Sequence, residues 1–164
     1  MKKLIAICTI AAISQFVSAK EVIGKSYKFD IPKDVTFKSQ NNIDLYTFNW
    51  GKSSSIVLTT PLPKGSTQKS MAPFVDMTSS MMEDQFNSMK NVFTKFTKST
   101  NKISFGKFTG TEVKFELTPK AGPVIYTSVI IVWDGESIWN ATVTSPEVDA
   151  VKRAQTILNS MTKK

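Results

Sequence analysis

The feature that most constrains the fold is a pair of apolar segments joined by a tight turn signal near the end of the sequence. Residues 124–133 are nearly continuous in apolar and β-branched side chains, which is typical of a central strand covered on both faces. Asp134-Gly135 is a hairpin signal, and residues 138–144 run back as the second strand. The sequence therefore predicts a sheet in which the first segment is an interior strand.

Other segments also predict strands bounded by turns. Residues 26–31 alternate polar and apolar side chains, residues 43–50 are rich in aromatic residues, and residues 56–60 return after a turn. Residues 113–117 alternate apolar and charged side chains. Because short turns join several of these segments, they are predicted to pair in an antiparallel sheet.

The middle of the sequence changes to a helical period. Apolar residues recur at steps of three and four from Phe74 to Phe96, which predicts one long amphipathic helix that starts near Pro73. Ser145 and Pro146 open a second predicted helix. The predicted fold class is therefore α+β: an antiparallel β-sheet with the long central amphipathic helix and the C-terminal helix packed on it as an α/β/α sandwich.

The N-terminal residues predict export. Two lysines precede an apolar run over residues 4–13, and small residues at positions 17–19 form a cleavage site, which together are typical of a bacterial Sec-type signal peptide over residues 1–19. The apolar run is shorter than the roughly 20 residues that span a bilayer. Residues 20–164 are then predicted to be a single domain with a periplasmic or secreted location and no transmembrane segment.

The residue inventory removes many kinds of chemistry. The sequence has no histidine, and its single cysteine, Cys8, lies inside the predicted signal peptide. Histidine-dependent triads, thiol nucleophiles and the usual zinc sites are therefore excluded for the domain. We predict no metal, no cofactor and no catalytic residue; the alternative is an enzyme acting through the carboxylates of Asp134 and Glu136. Lipid attachment at Cys8 is an alternative to signal cleavage, which the short apolar run before it disfavours.

The charge balance bears on the class of partner. The formal net charge is +8, and Arg153 is the only arginine. Because arginine reads phosphates and bases in a bidentate manner, its scarcity argues against specific nucleic-acid binding. A lysine-rich surface suits acidic partners, including anionic membranes and envelope polymers, or is simply a solvated surface.

A cluster of methionines leaves three interpretations open. Met82 and Met89 share the apolar face of the predicted helix with phenylalanines, which favours an adaptable core. Met77 and Met81 also share a helical face. The other two interpretations are a binding surface and a set of soft ligands for copper(I).

Short motifs in the domain resemble those of a known superfamily. They are the opening Phe29-Asp30-Ile31-Pro32, the hairpin end Gly135-Glu136-Ser137-Ile138-Trp139 and a final helix closing on Ile157-Leu158-Asn159-Ser160-Met161. Together with the order of elements, they make the chain similar to the PsbP-like superfamily, which includes DcrB and the Mog-type Ran-binding proteins. The resemblance implies an α/β/α sandwich and accessory, assembly or binding roles, and it supplies no catalytic residues.

The predicted site is the tip of the C-terminal hairpin. Trp133, Asp134 and Glu136 are predicted to form a contact surface for a partner, together with Trp50 at the end of the other hairpin strand. The predicted function is an exported, non-enzymatic binding or accessory protein that engages a protein partner in the cell envelope. The alternative is an inhibitor or immunity protein that blocks a secreted hydrolase, with a surface loop at residues 61–71 entering the cleft of that enzyme.

Overall fold

The computed structural model describes residues 20–23, 26–40, 44–51, 53–59, 67–105 and 108–164. The predicted signal peptide at residues 1–19 lies outside them, as do residues 61–66 of the predicted inhibitory loop. The described residues form ten strands and two α-helices: β1 (Lys20–Ile23), β2 (Tyr27–Ile31), β3 (Thr36–Gln40), β4 (Leu45–Trp50), β5 (Ser54–Thr59), α1 (Met71–Ser88), β6 (Phe93–Phe105), β7 (Phe108–Pro119), β8 (Ile125–Trp133), β9 (Ile138–Ser145), α2 (Ala150–Asn159) and β10 (Thr162–Lys163).

Seven strands form one antiparallel sheet in the order β3-β4-β5-β9-β8-β7-β6. Strand β8 lies between β9 and β7, and its residues from Thr127 to Val132 are buried, which confirms the interior strand predicted from the apolar run. The pairing of β5 with β9, in which Ile56 lies opposite Val143, joins the N-terminal strands to the C-terminal hairpin. Strands β1, β2 and β10 form a separate three-stranded antiparallel sheet.

The large sheet is buried on both faces by different layers. Val129 and Ile131 of β8 belong to a core that includes α1, whereas the alternate residues Ile130 and Val132 belong to a core that includes α2 and β2. Each fully buried aliphatic side chain contributes roughly 1.5–3 kcal/mol, so cover on both faces explains why the run is apolar without alternation. The core on the α2 side contains most of the buried aromatic rings, which include Tyr27, Phe29, Tyr46, Phe48, Trp50 and Trp139.

The predicted α+β sandwich with a long central helix is wrong, because the described chain is rich in β-structure. Helix α1 ends at Ser88, and the residues expected to continue it form β6. Phe93 and Phe96 are three positions apart, as on a helix. A register shift in the β6–β7 pairing between Phe93 and Lys95 lets a strand place both rings against the core that includes α1. The local spacing therefore matched a helix where the tertiary structure builds a strand.

The methionines of α1 divide between core and surface. Met71 and Met82 pack against the core on the α1 side, whereas Met77 and Met81 are exposed on the outer side of the helix. The prediction of an adaptable core is therefore confirmed for Met82, whereas Met77 and Met81 lie outside the core. Neither of the described helices is long and apolar enough to span a membrane.

Three strands that the sequence does not predict lie at the margins of the two sheets. They are β1, β3 and β10, and β10 has only two residues. Strand β10 pairs with β2, so that Lys163 lies opposite Tyr27. This pairing brings Lys163 to the hairpin tip between β8 and β9, where the sequence places its candidate site.

Candidate functional site

The hairpin tip is a turn that Asp134 closes. Its main-chain N–H group donates to the carbonyl oxygen of Ser137 (3.1 Å). Its Oδ1 atom accepts hydrogen bonds from the main-chain N–H groups of Glu136 (3.0 Å) and Ser137 (2.9 Å). Gly135 has a φ of 99°, in the left-handed region that favours glycine. The hairpin predicted from Asp134-Gly135 is therefore confirmed, and the Asp134 side chain turns the backbone.

The carboxyl group of Asp134 is closed to solvent. Its side chain has no exposed area; it accepts a hydrogen bond from the hydroxyl of Tyr27 and lies 3.7 Å from the ammonium of Lys163. Burial alone would raise the pKa of Asp134. The bond from Tyr27, the main-chain donors of the turn and the charge of Lys163 outweigh burial and hold the pKa below its ordinary value. Asp134 is therefore an ionised anchor beneath the tip, and its carboxyl group cannot touch a partner.

Two residues that the sequence does not predict complete this cluster, Tyr27 and Lys163. Burial, and then the hydrogen bond to Asp134, raises the pKa of Tyr27 far above its usual range, so the hydroxyl remains a donor. Lys163 Nζ donates to Oε2 of Glu136 at 2.7 Å, and this bond raises the pKa of Lys163. Alternation in β2 predicts that Tyr27 is buried, but it cannot indicate which carboxylate meets its hydroxyl, since 107 residues separate Tyr27 from Asp134.

Glu136 and Trp133 remain accessible at the tip. The side chain of Glu136 is 78% exposed. Trp133 is partly exposed and packs against the core on the α1 side, and its buried Nε1–H group has no acceptor within the described part of the chain. The tip therefore presents the ion pair of Glu136 and Lys163, with an indole ring three residues before Glu136.

Trp50, the fourth residue of the predicted site, lies elsewhere in the fold. It is only 5% exposed and belongs to the core on the α2 side, where its ring centroid lies 5.9 Å from the guanidinium carbon of Arg153. Trp50 lies at the end of the sheet where Ser55 pairs with Thr144, whereas the tip adjoins the opposite end of β9, where Ile138 pairs with Trp133. Six residues of strand place these ends about 20 Å apart. The structure therefore does not bring Trp50 to the tip.

A second candidate site is a cleft between α2 and the sheet, with a volume of about 500 Å³. Its floor carries polar groups of β6, β7 and β8, including Ser99, Lys114 and Ser128, and its wall carries Val148 and Val151. Beneath the floor lies the carboxylate of Glu112, which is 2% exposed. This carboxylate accepts a hydrogen bond from Ser128 Oγ at 2.6 Å and lies 3.2 Å from the ammonium of Lys114.

The cleft therefore offers polar groups of the sheet beside the apolar surface of Val148 and Val151. Alternation in β7 indicates that Glu112 and Lys114 share a face, but it did not identify that face as a cleft. Across the described ranges there is no group of three or more histidine, cysteine, aspartate or glutamate residues that could hold a metal ion.

No protein-family model matches the chain, and no curated protein matches it. Among solved structures, the chain is similar to a crystal structure of a protein from Bacteroides thetaiotaomicron, with a TM-score of 0.61 and 12% sequence identity. The match covers 90% of this chain and 49% of that chain, so this chain spans about half the length of the structure that it matches. At this identity the likeness shows the fold alone.

Proposed function

We propose that the protein is an exported, non-enzymatic binding or accessory protein that engages a protein partner in the cell envelope through the hairpin tip. The observation that carries this proposal is the ion pair of Glu136 and Lys163 above the buried anchor Asp134. A turn held in this way presents its exposed groups in one geometry, so binding costs little conformational entropy. The contact residues are Glu136, Lys163 and the exposed part of Trp133.

The state of the two acids supports binding over catalysis. The carboxyl group of Asp134 is occupied by the Tyr27 hydroxyl and the main-chain donors of the turn. Glu136 is then a single exposed carboxylate paired with a lysine. A pair of acids that worked together on a substrate would both need access to it. The export itself rests on the signal-like residues 1–19.

Site-specific photo-crosslinking in the bacterium that makes the protein tests this proposal. A photoreactive amino acid replaces Glu136 in one variant and Glu147 in the control, an exposed acid that precedes α2 at the other end of the sheet. We expect a defined crosslinked protein from position 136 and none of that size from position 147. No crosslink at position 136, or the same products from both positions, would overturn the proposal.

A further inference from the structure

The outer edge of β6 is a long strand edge that the described part of the chain leaves without a neighbour. Strand β6 has 13 residues and is the last strand of the large sheet, so that β7 is its only neighbour among the described strands. Every residue from Thr97 to Lys102 is exposed. Such an edge displays main-chain donors and acceptors in a row, which is a template for pairing with another extended chain.

The charges of β6 are all positive. Lys95, Lys98 and Lys102 lie on it, and it has no acidic residue. Lys98 is committed to α1, because its ammonium contacts Glu83 and donates to Ser79 Oγ at 3.2 Å. Within the described residues, Lys95 and Lys102 have no carboxylate partner. These two lysines therefore provide positive charge near both ends of the exposed stretch.

The cleft beside α2 adjoins the same edge. Thr97 and Ser99 of β6 form one side of it, and Val148 and Val151 form the opposite wall. Val148 is 62% exposed, which leaves an apolar surface uncovered within reach of the edge. When a peptide adds to a sheet edge, main-chain hydrogen bonds supply affinity and neighbouring pockets select its side chains. Edge and cleft together therefore offer the two features that such a site needs.

The charges decide which chain fits this edge. A second copy of β6 would bring three more lysines and no acid to this edge, and like charges on adjacent strands destabilise a pair. An acidic strand instead places carboxylates near Lys95 and Lys102. We propose that β6 takes an extended acidic segment of a partner protein as an added strand, with an apolar side chain of that segment in the cleft against Val148. This surface is separate from the hairpin tip, so the inference does not depend on the proposed function.

The probe is a short fluorescent acidic peptide with one valine, and its glutamates occupy both odd and even positions, because Lys95 and Lys102 pair with Thr118 and Thr111 and so lie on opposite faces of the sheet. Its binding to the purified protein is followed by fluorescence anisotropy. The variant Lys95→Glu with Lys102→Glu is compared with Lys33→Glu and Lys38→Glu. The control variant has the same net charge as the first. Both of its lysines are exposed: Lys38 lies on β3, at the opposite edge of the sheet, and Lys33 lies just before that strand. We expect the first variant to weaken binding about tenfold, since two attractive contacts become repulsive, and the control pair to bind like the wild type.

Two modified peptides test whether the contact is a strand pairing. N-methyl groups on one set of alternate amides block the bonds that face β6, whereas N-methyl groups on the other set point away from the sheet. We expect one of these peptides to lose binding and the other to retain it. The proposal would be overturned if the two modified peptides bound equally or if the two charge variants lost binding equally, because general charge attraction would then explain the binding. It would also be overturned if the unmodified peptide did not bind.

Discussion

The hydroxyl group of Tyr27 donates a hydrogen bond to the Oδ2 atom of Asp134, although 107 residues separate them in the chain. Tyr27 belongs to the small sheet, and Asp134 closes the central hairpin of the large one. The bond therefore joins the two sheets at the candidate contact surface. It also leaves a buried carboxylate dependent on donors from distant parts of the sequence.

Removing the donor tests this link. In Tyr27→Phe the ring still fills its place in the core, but the carboxylate of Asp134 loses a hydrogen bond that solvent cannot replace. We expect the free energy of unfolding to fall by about 1–3 kcal/mol, measured by urea denaturation. Tyr126→Phe is the control, because this partly exposed tyrosine lies at the cleft; a loss in the control as large as in Tyr27→Phe would contradict the prediction.

The pH dependence of stability follows from the lowered pKa of Asp134, whose ordinary value is 3.8. A carboxyl group with a depressed pKa in the folded state contributes stability above its unfolded pKa and loses it as the pH falls through the folded value. We expect the free energy of unfolding to decline as the pH falls below about 4, and to decline less in Asp134→Asn. The bond from Lys98 also lowers the pKa of Glu83, so this group contributes to the acid decline in stability with the same sign. Glu83→Gln is therefore the matched comparison. An unchanged acid slope in Asp134→Asn would count against this account.

The buried carboxylate of Glu112 predicts a second dependence on one hydroxyl. Ser128→Ala removes the donor that lies 2.6 Å from it. We expect a loss of about 1–3 kcal/mol in the free energy of unfolding, because the carboxylate stays buried and keeps only Lys114. Ser99→Ala changes an exposed hydroxyl of the same cleft and serves as the control. The prediction would be wrong if both variants had the same urea midpoint of unfolding.

Close packing of strands makes Gly110 intolerant of a side chain. A Cβ atom there would lie 2.3 Å from the carbonyl oxygen of Ile131 and 2.8 Å from Cγ2 of Val132, so the strands would have to move apart. We expect Gly110→Ala to destabilise the protein by about 1–3 kcal/mol and to lower its thermal midpoint. Thr109→Ala, at the exposed neighbouring position, should change the midpoint little. A wild-type midpoint for Gly110→Ala would show that the strands separate without cost.

The placement of Trp50 separates a core residue from a contact residue. Because its ring is buried under Arg153, Trp50→Ala should destabilise the fold by about 3–5 kcal/mol, as measured by denaturant titration. Glu136→Ala should change stability by no more than about 0.5 kcal/mol, since that side chain is exposed. A stable Trp50→Ala protein would return Trp50 to the group of possible contact residues.

Local patterns predicted the parts of this protein in which neighbours in sequence carry the decisive information. The apolar run of β8, the Asp134-Gly135 turn and the return strand β9 are examples, because a doubly covered strand and a tight turn each have a composition of their own. The same approach failed at β6. There Phe93 and Phe96 have a spacing that fits either a helix or a strand with a bulge, and only pairing with β7 selects the strand.

The sequence by itself determined the central hairpin, the alternation that buries one face of β7, and the lack of histidine and of cysteine beyond Cys8. The tertiary structure alone decided that Trp50 is core, that Asp134 is an anchor and that Tyr27 and Lys163 meet at the tip. The physical reason is that burial and hydrogen bonding depend on neighbours in space. Those neighbours are brought together by strand pairings, such as β2 with β10 and β5 with β9, whose register no short segment encodes.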